Sequence, residues 1–195
     1  MDTTARVGEL LRRFHLGQLG ADELAFGKAL TQARLDYTPA SLARVDALLA
    51  QLRQSTAPHP ASFLEAPQQR TFMHLLAAYM GLTIARYLRR PVRWFTQDEL
   101  PGAVPAEVAD KLPQGFSASL SCEIDQVGLL MPVAILEHQL FAPTLRQSVV
   151  EAADTFLERD LRPPLPWPLP AGASADAGDA EILWRLGHVM GNQAA

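Results

Sequence analysis

The side chains able to do chemistry are few and scattered. Five histidines, His15, His59, His74, His138 and His188, include no H-x-x-x-H pair, the spacing that sets two imidazoles on one helix face for a zinc ion. Glu123 and Asp125 share the polar side of an alternating stretch, and Glu137 and His138 follow the next apolar run. Solvated surface carboxylates are far commoner than a cation site built from such residues, so neither metal nor cofactor is expected. Cys122 falls on the apolar side of the same stretch, where a thiol behaves as a small, inert hydrophobe. Ser117, Ser119 and Ser121 lie in GFSASLS, a near miss to the G-x-S-x-G nucleophile elbow. There is no glycine-rich phosphate loop. His74 sits in an apolar helical run, where a hydrogen-bonded core imidazole is commoner than a base. No catalytic residue is therefore assigned, and the balance leans away from an enzyme, although sites assembled from distant residues leave no local trace.

One cluster stands out. Thr71–Trp94 runs through a greasy stretch, TFMHLLAAYMGLTIA, into Arg86, Arg89, Arg90, Arg93 and Trp94. The four guanidinium groups suit an anion or a carboxylate-rich partner, and Trp94 could stack on a base. Against nucleic acid stands a net charge of -4; nucleic-acid binders are usually basic overall or along a face. Cations at a helix C-terminus are also stabilised by its dipole, by about 0.3–1 kcal/mol each, so a structural role is the commoner expectation. The uncharged run is shorter than the about 20 residues needed to span a bilayer, and it contains His74, Tyr79 and Thr83. Membrane insertion is not expected. A helix apolar on most sides is instead buried in a core, and small Ala77, Ala78 and Gly81 predict a close neighbour.

The elements that must position these groups follow from periodicity. With 195 residues and 48% apolar content, one domain plus a tail is the natural organisation. Val7, Leu10, Leu11 and Phe14 form a helical stripe. A second helix is predicted over 21–35. In LDYTPASLARVDALLAQLR, Thr38 is placed to cap a helix with Pro39 at its first position. STAPHPASFLEAP reads as a loop, and a long helix follows from about Gln68 to Leu88, stopped by Pro91. PVRWF reads as a short strand. The stretch 96–115 reads as a proline-punctuated loop with one helical turn. FSASLSCEID alternates with period two, placing Ser121 and Glu123 on the wet face and Cys122 and Ile124 on the dry one. LLMPVAIL reads as a second, more buried strand, with Pro132 marking an edge or bulge. A last core helix is predicted from near Pro143, with Leu145, Val149, Val150, Ala153, Phe156 and Leu157 facing inward. The fold class is thus α+β: a helix-rich domain over 1–162 with a small, mostly antiparallel sheet from segments near 92–95, 116–125 and 129–136. A Pro/Ala/Gly-rich linker (163–179) and a helical tail (180–195) complete it.

Charge divides unevenly along the chain. Residues 66–97 hold five arginines and no acid, whereas residues 98–195 hold 14 acids against 5 basic residues. Opposite halves attract, within one molecule or between two. Fifteen arginines against two lysines, with abundant Ala, Leu and Pro, point to a GC-rich genome and a bacterial source. One cysteine excludes an internal disulfide, and the opening MDTTARVGELLRRF lacks the apolar core of a signal peptide, so a cytoplasmic protein is expected. In the tail, Trp167 within PPLPWPLP and Ile182, Trp184 and Leu186 within ILWRLGHVM suit contact with a partner, a second copy or the domain itself.

Asp36, Tyr37, Ser41, Leu42 and Asp46, followed by Ala78, Tyr79, Gly81 and then Trp94, resemble a loose group of bacterial domains. Their pattern is D-[YF]-[ST]-x-x-S-L-x-x-[VL]-D, an A-Y-x-G helix and a tryptophan strand. The similarity spans about residues 35–95. It implies a small α+β domain and brings no activity and no catalytic residue; the Glu that often follows the glycine in that group is Leu82 here. The resulting expectation is a non-enzymatic interaction protein of accessory, adaptor or immunity type, bound to a protein partner or to itself as a homodimer. The alternative is a small enzyme or sensor that holds an anionic ligand at the arginine cluster.

Overall fold

A computed structural model describes residues 2–142 and 148–159. Residues 160–195, and with them the linker, the tail, Trp167, Ile182, Trp184 and Leu186, lie outside the described residues, as do Pro143 and Leu145. The elements run in the order α1 (Thr3–His15), α2 (Gly27–Gln32), α3 (Pro39–Thr56), α4 (Pro60–Glu65), α5 (Pro67–Leu88), β1 (Val92–Phe95), α6 (Leu100–Ala103), α7 (Ala106–Ala109), a 3-10 turn (Phe116–Ala118), β2 (Ser121–Ile124), β3 (Gly128–Leu130), α8 (Pro132–Phe141) and α9 (Val149–Arg159). The three strands form one antiparallel sheet in the order β1-β2-β3. The chain is α+β, helix-rich with a small sheet, as the sequence predicts.

Helix α5 is the hub. It packs against α1, α3, α4, α8, α9 and both β1 and β2. Phe72, Met73, Leu76, Ala77, Ala78 and Met80 are wholly buried, so the middle of the helix is enclosed by protein. No helix among the described residues is long and apolar enough to cross a membrane.

Gly81 is where α5 meets the sheet. A Cβ there would lie 2.6 Å from Trp94 Cη2 and 2.8 Å from Cys122 Sγ. Those two residues face each other in register on β1 and β2, and the row continues to Leu130 on β3. The opposite face of the sheet is covered too. Phe95 and Leu129 join Leu100 on α6, Val108 on α7 and Ala134 on α8 in a second, smaller apolar cluster.

Five prolines act as helix starters and sit in the first turn: Pro39 in α3, Pro60 in α4, Pro67 in α5, Pro101 in α6 and Pro132 in α8. The missing N–H has no partner to lose there, and the fixed φ already suits a helix. This accounts for several corrections. The segment expected to loop between α3 and α5 contains α4. The expected second strand ends at Leu130, and Pro132 opens a buried helix, α8, instead of marking a sheet edge. A short apolar run reads equally well as strand or buried helix. The stretch 96–115 holds two four-residue helices where one turn is predicted.

Four further expectations fail, wholly or in part, for local reasons. The 116–125 strand shrinks to Ser121–Ile124, because β1 offers only four partners and the serine-rich start closes a 3-10 turn after Gly115 at φ 80°. Ser121 is buried rather than on a wet face, since it pairs with Phe95 beneath the second cluster. The second helix covers Gly27–Gln32 only. Before it, Glu23 and Leu24 N–H close onto Gly20 O, Ala25 N–H is drawn off to Gln68 O (3.1 Å), and Phe26 turns left-handed at φ 56°. Thr38 does occupy the N-cap of α3, but its side chain makes no cap bond and donates to Asp36 Oδ1 (2.7 Å).

Adding a methyl at residue 81 tests the hub directly. The helix-propensity gain of about 1 kcal/mol is smaller than the usual penalty for overpacking. Gly81→Ala is therefore expected to lower the unfolding free energy by about 1–2 kcal/mol in urea titration. An unchanged or higher value would mean that the approach of α5 to Trp94 and Cys122 is looser than described.

Candidate functional site

The arginine cluster is shaped by the way α5 ends. Arg89 takes the left-handed conformation at φ 54°, and Arg90 N–H donates back to Ala85 O at 2.9 Å. Glycine is the usual residue for this closure; a side chain there costs about 1 kcal/mol or more. Pro91 then prevents any continuation. The reversal fans out the guanidinium groups. Arg86 lies over the Tyr37 ring at 4.1 Å from its centre. Arg90 Nη1 donates to Gln126 Oε1 (2.8 Å) at the β2–β3 turn. Arg93 lies over the Phe95 ring at 5.0 Å and faces Glu123 across the sheet. Arg86, Arg89 and Arg93 are exposed.

Trp94 is not part of this surface. It is 4% exposed, with its ring against Gly81, so it has no free face for a base. The exposed aromatic residue is Tyr87, at 59%, flanked in sequence by the arginines of the last turn. Sequence reasoning passed over Tyr87. The available signal was its position in the final turn of α5, where the buried surroundings of the helix give way to water.

Tyr37 connects this corner to the scaffold. Its hydroxyl and His15 Nε2 share a hydrogen bond of 2.5 Å, and burial raises its pKa, more than the nearby Arg86 lowers it. Tyr37 itself is left-handed at φ 60°, which turns its N–H onto Tyr79 Oη (2.9 Å). The Tyr79 hydroxyl in turn bonds Ser41 Oγ, and Ser41 donates to Thr38 O (2.5 Å). Asp36 accepts from the hydroxyl and N–H of Thr38 and pairs with Arg44 at 2.7 Å, and these together hold its carboxyl down to about 2. Asp46 accepts from Val149 N–H (2.8 Å) and Val150 N–H (3.2 Å), capping α9 from α3; burial nevertheless raises its pKa. The polar residues that carry the sequence resemblance thus hold backbone and helix ends, with Gly81 and Trp94 forming the contact between α5 and the sheet.

A second polar group lies where α5 meets the 3-10 turn. His74 Nε2 and Ser119 Oγ share a bond of 2.8 Å, and the imidazole stacks on Phe116 at 5.1 Å. Ser117 donates to Glu137 Oε2, whose pKa burial raises. Burial, helped by Arg70, pushes His74 down to about 4, so its imidazole is neutral at ordinary pH. A neutral imidazole on a serine hydroxyl is the beginning of a nucleophile–base pair, but the arrangement equally satisfies a half-buried histidine. Cys122 is wholly buried and burial raises its pKa, which suppresses the reactive thiolate. Among the described residues no three His, Cys, Asp or Glu side chains gather closely enough to hold a metal ion.

No family model, curated protein or solved structure matches this chain.

The His74 environment sets a pH dependence. The unfolded imidazole takes up its proton near 6.5 and the folded one only near 4. Between those values the unfolded chain binds more protons, so acid favours unfolding. On lowering the pH from 7 to 4, the wild type should lose about 2–3 kcal/mol more stability than His74→Gln. Parallel stability–pH curves for the two proteins would show that His74 is not buried as described.

Proposed function

We propose that this chain is a non-enzymatic interaction protein of the bacterial cytoplasm, of accessory, adaptor or immunity type. Its contact surface is the corner formed by Arg86, Tyr87, Arg89 and Arg93, and its partner presents an acidic surface. The observation that carries this reading is Tyr87, a large aromatic side chain more than half exposed beside exposed guanidinium groups. Tyrosine and arginine are enriched among the residues that dominate binding energy at protein interfaces. The corner is also held in place: Arg86 is braced on Tyr37 and the chain reversal is closed by backbone hydrogen bonds. Less order is then lost on docking.

The test is affinity capture from the native host with the wild type and with Tyr87→Ala. An exposed side chain contributes little to folding, within about 0.5 kcal/mol, so the variant should melt with the wild type. A captured partner should bind the variant at least about tenfold more weakly, and raised salt should weaken the wild-type complex. Equal recovery by both proteins, or recovery of this chain alone, would remove the reading.

A second reading has its own support. His15 meets Tyr37 at its hydroxyl and Arg86 lies over the ring of the same residue, and polar groups neighbouring one side chain would suit a small anion such as phosphate, in a sensor or a small enzyme. Phosphate at millimolar concentration should then raise the melting temperature, because a ligand at 100 times its Kd adds about 2.7 kcal/mol. Arg86→Ala should abolish the shift. No shift in the wild type, or an equal shift in Arg86→Ala, counts against an anion site there.

A further inference from the structure

A polar cleft of about 550 Å3 opens where the start of α1, the edge strand β1 and the start of α6 meet. Its lining includes Asp2, Thr3, Arg93, Phe95, Asp98 and Glu99. That volume lies within the about 300–1,000 Å3 of ligand pockets. The walls are tied to one another. Trp94 N–H donates to Thr4 Oγ1 (3.0 Å), which joins β1 to α1. Thr3 Oγ1 donates to Glu99 Oε2 (2.7 Å), which joins α1 to the approach to α6, and Thr96 N–H donates to the same oxygen (2.9 Å). Arg6 Nη2 in turn donates to Thr3 Oγ1 (2.6 Å).

Opposite charges line this cleft without neutralising one another. Arg93 is exposed and rests on the Phe95 ring at 5.0 Å, and among the described residues it pairs with no carboxylate. Asp98 is exposed, and its carboxylate has no partner among the described residues. Glu99 uses only Oε2 for Thr3 and Thr96 and leaves Oε1 open. The Thr96 N–H and the Thr3 hydroxyl hold its carboxyl below the usual range, so it stays ionised at neutral pH. Asp2 is already engaged, accepting from Thr4 N–H (2.6 Å) at the start of α1. A lone anion in the cleft would meet the carboxylates, and a lone cation would meet Arg93. Among the described residues no three ligating side chains gather for a metal ion. A ligand carrying both charges satisfies both walls at once: the planar guanidinium matches a carboxylate with two parallel N–H donors, and an ammonium group offers three donors to carboxylate oxygens. We propose that the cleft binds a free α-amino acid, its carboxylate on the Arg93 guanidinium and its ammonium on Asp98 and Glu99 Oε1. Phe95 and Ala103 supply apolar contact for the ligand's side chain, and Gly102 leaves it room. Neither Arg86 nor Tyr87 lines the cleft, so this site does not depend on the partner surface proposed above.

Thermal melting of the full chain with each of the twenty common amino acids at millimolar concentration, followed by calorimetric titration of those that raise the melting temperature, tests this. At least one should raise it by a few degrees, because a ligand that binds only the folded state stabilises it. The N-acetyl derivative of that amino acid lacks the ammonium charge and its amide lacks the carboxylate; each should bind at least about tenfold more weakly, the equivalent of one lost charged contact. Arg93→Gln and Asp98→Asn alter exposed side chains, so both should melt with the wild type when unliganded. Each should also weaken binding at least about tenfold. The absence of a shift with every amino acid would overturn the proposal. So would equal binding of the N-acetyl and amide derivatives, since the two charges would then play no part, or undiminished binding to both variants, since the ligand would then sit elsewhere.

Discussion

At Gly81 the backbone of α5 comes so close to the sheet that one methyl group would meet both Trp94 and Cys122. Much of the architecture follows from that approach. It fixes which face of β1 and β2 points inward, because Trp94 and Cys122 are cross-strand partners in one row. It leaves the other face to be covered by α6, α7 and the start of α8 through Phe95, Leu129 and Ala134. A three-stranded sheet of three- and four-residue strands has little stability alone; here it is held between the central helix and a second small cluster.

The polar chemistry near α5 serves the same packing. A buried hydroxyl must find a partner or lose the free energy of its hydration, and Tyr79 finds two, Tyr37 N–H and Ser41 Oγ. Through them α5 is joined to the start of α3. Asp46, farther along α3, reaches the first N–H groups of α9, which places a helix end against a distant carboxylate. The Asp-Tyr…Ser…Asp and Ala-Tyr-x-Gly patterns of this chain therefore describe how helices are tied together. They contain no pair of groups poised for proton transfer to a ligand.

The cationic side chains lie at an exposed edge of this frame. Where α5 stops, the left-handed Arg89 and Pro91 turn the chain outward and spread the guanidinium groups over different supports, Tyr37, Gln126 and Phe95. The arrangement does not gather all four around one point; it lays them along a corner with Tyr87 exposed beside them. Guanidinium groups dispersed in this way spread their donors over an extended surface and do not enclose a single small ion.

Sequence alone was enough for the parts whose residues answer one question each. The length and apolarity of 68–88 imply a core helix, the stripe after Pro39 implies α3, and PVRWF implies a strand, because burial on all sides, period 3.6 and β-branched or aromatic side chains are local signatures. The basic last turn of α5 was legible for the same reason. Other outcomes needed the third dimension. Whether Met131–Leu136 is strand or helix depends on how many partners β2 can offer, and beyond Cys122, which faces Leu130, only Ser121 is left. Ser121 is buried because a second cluster covers its face, and Trp94 is lost to the surface because α5 has no side chain at Gly81. Tyr87 is exposed because the core ends one turn before the helix does. Periodicity records how a residue sits on its own element; only packing decides which faces of that element meet protein and which meet water.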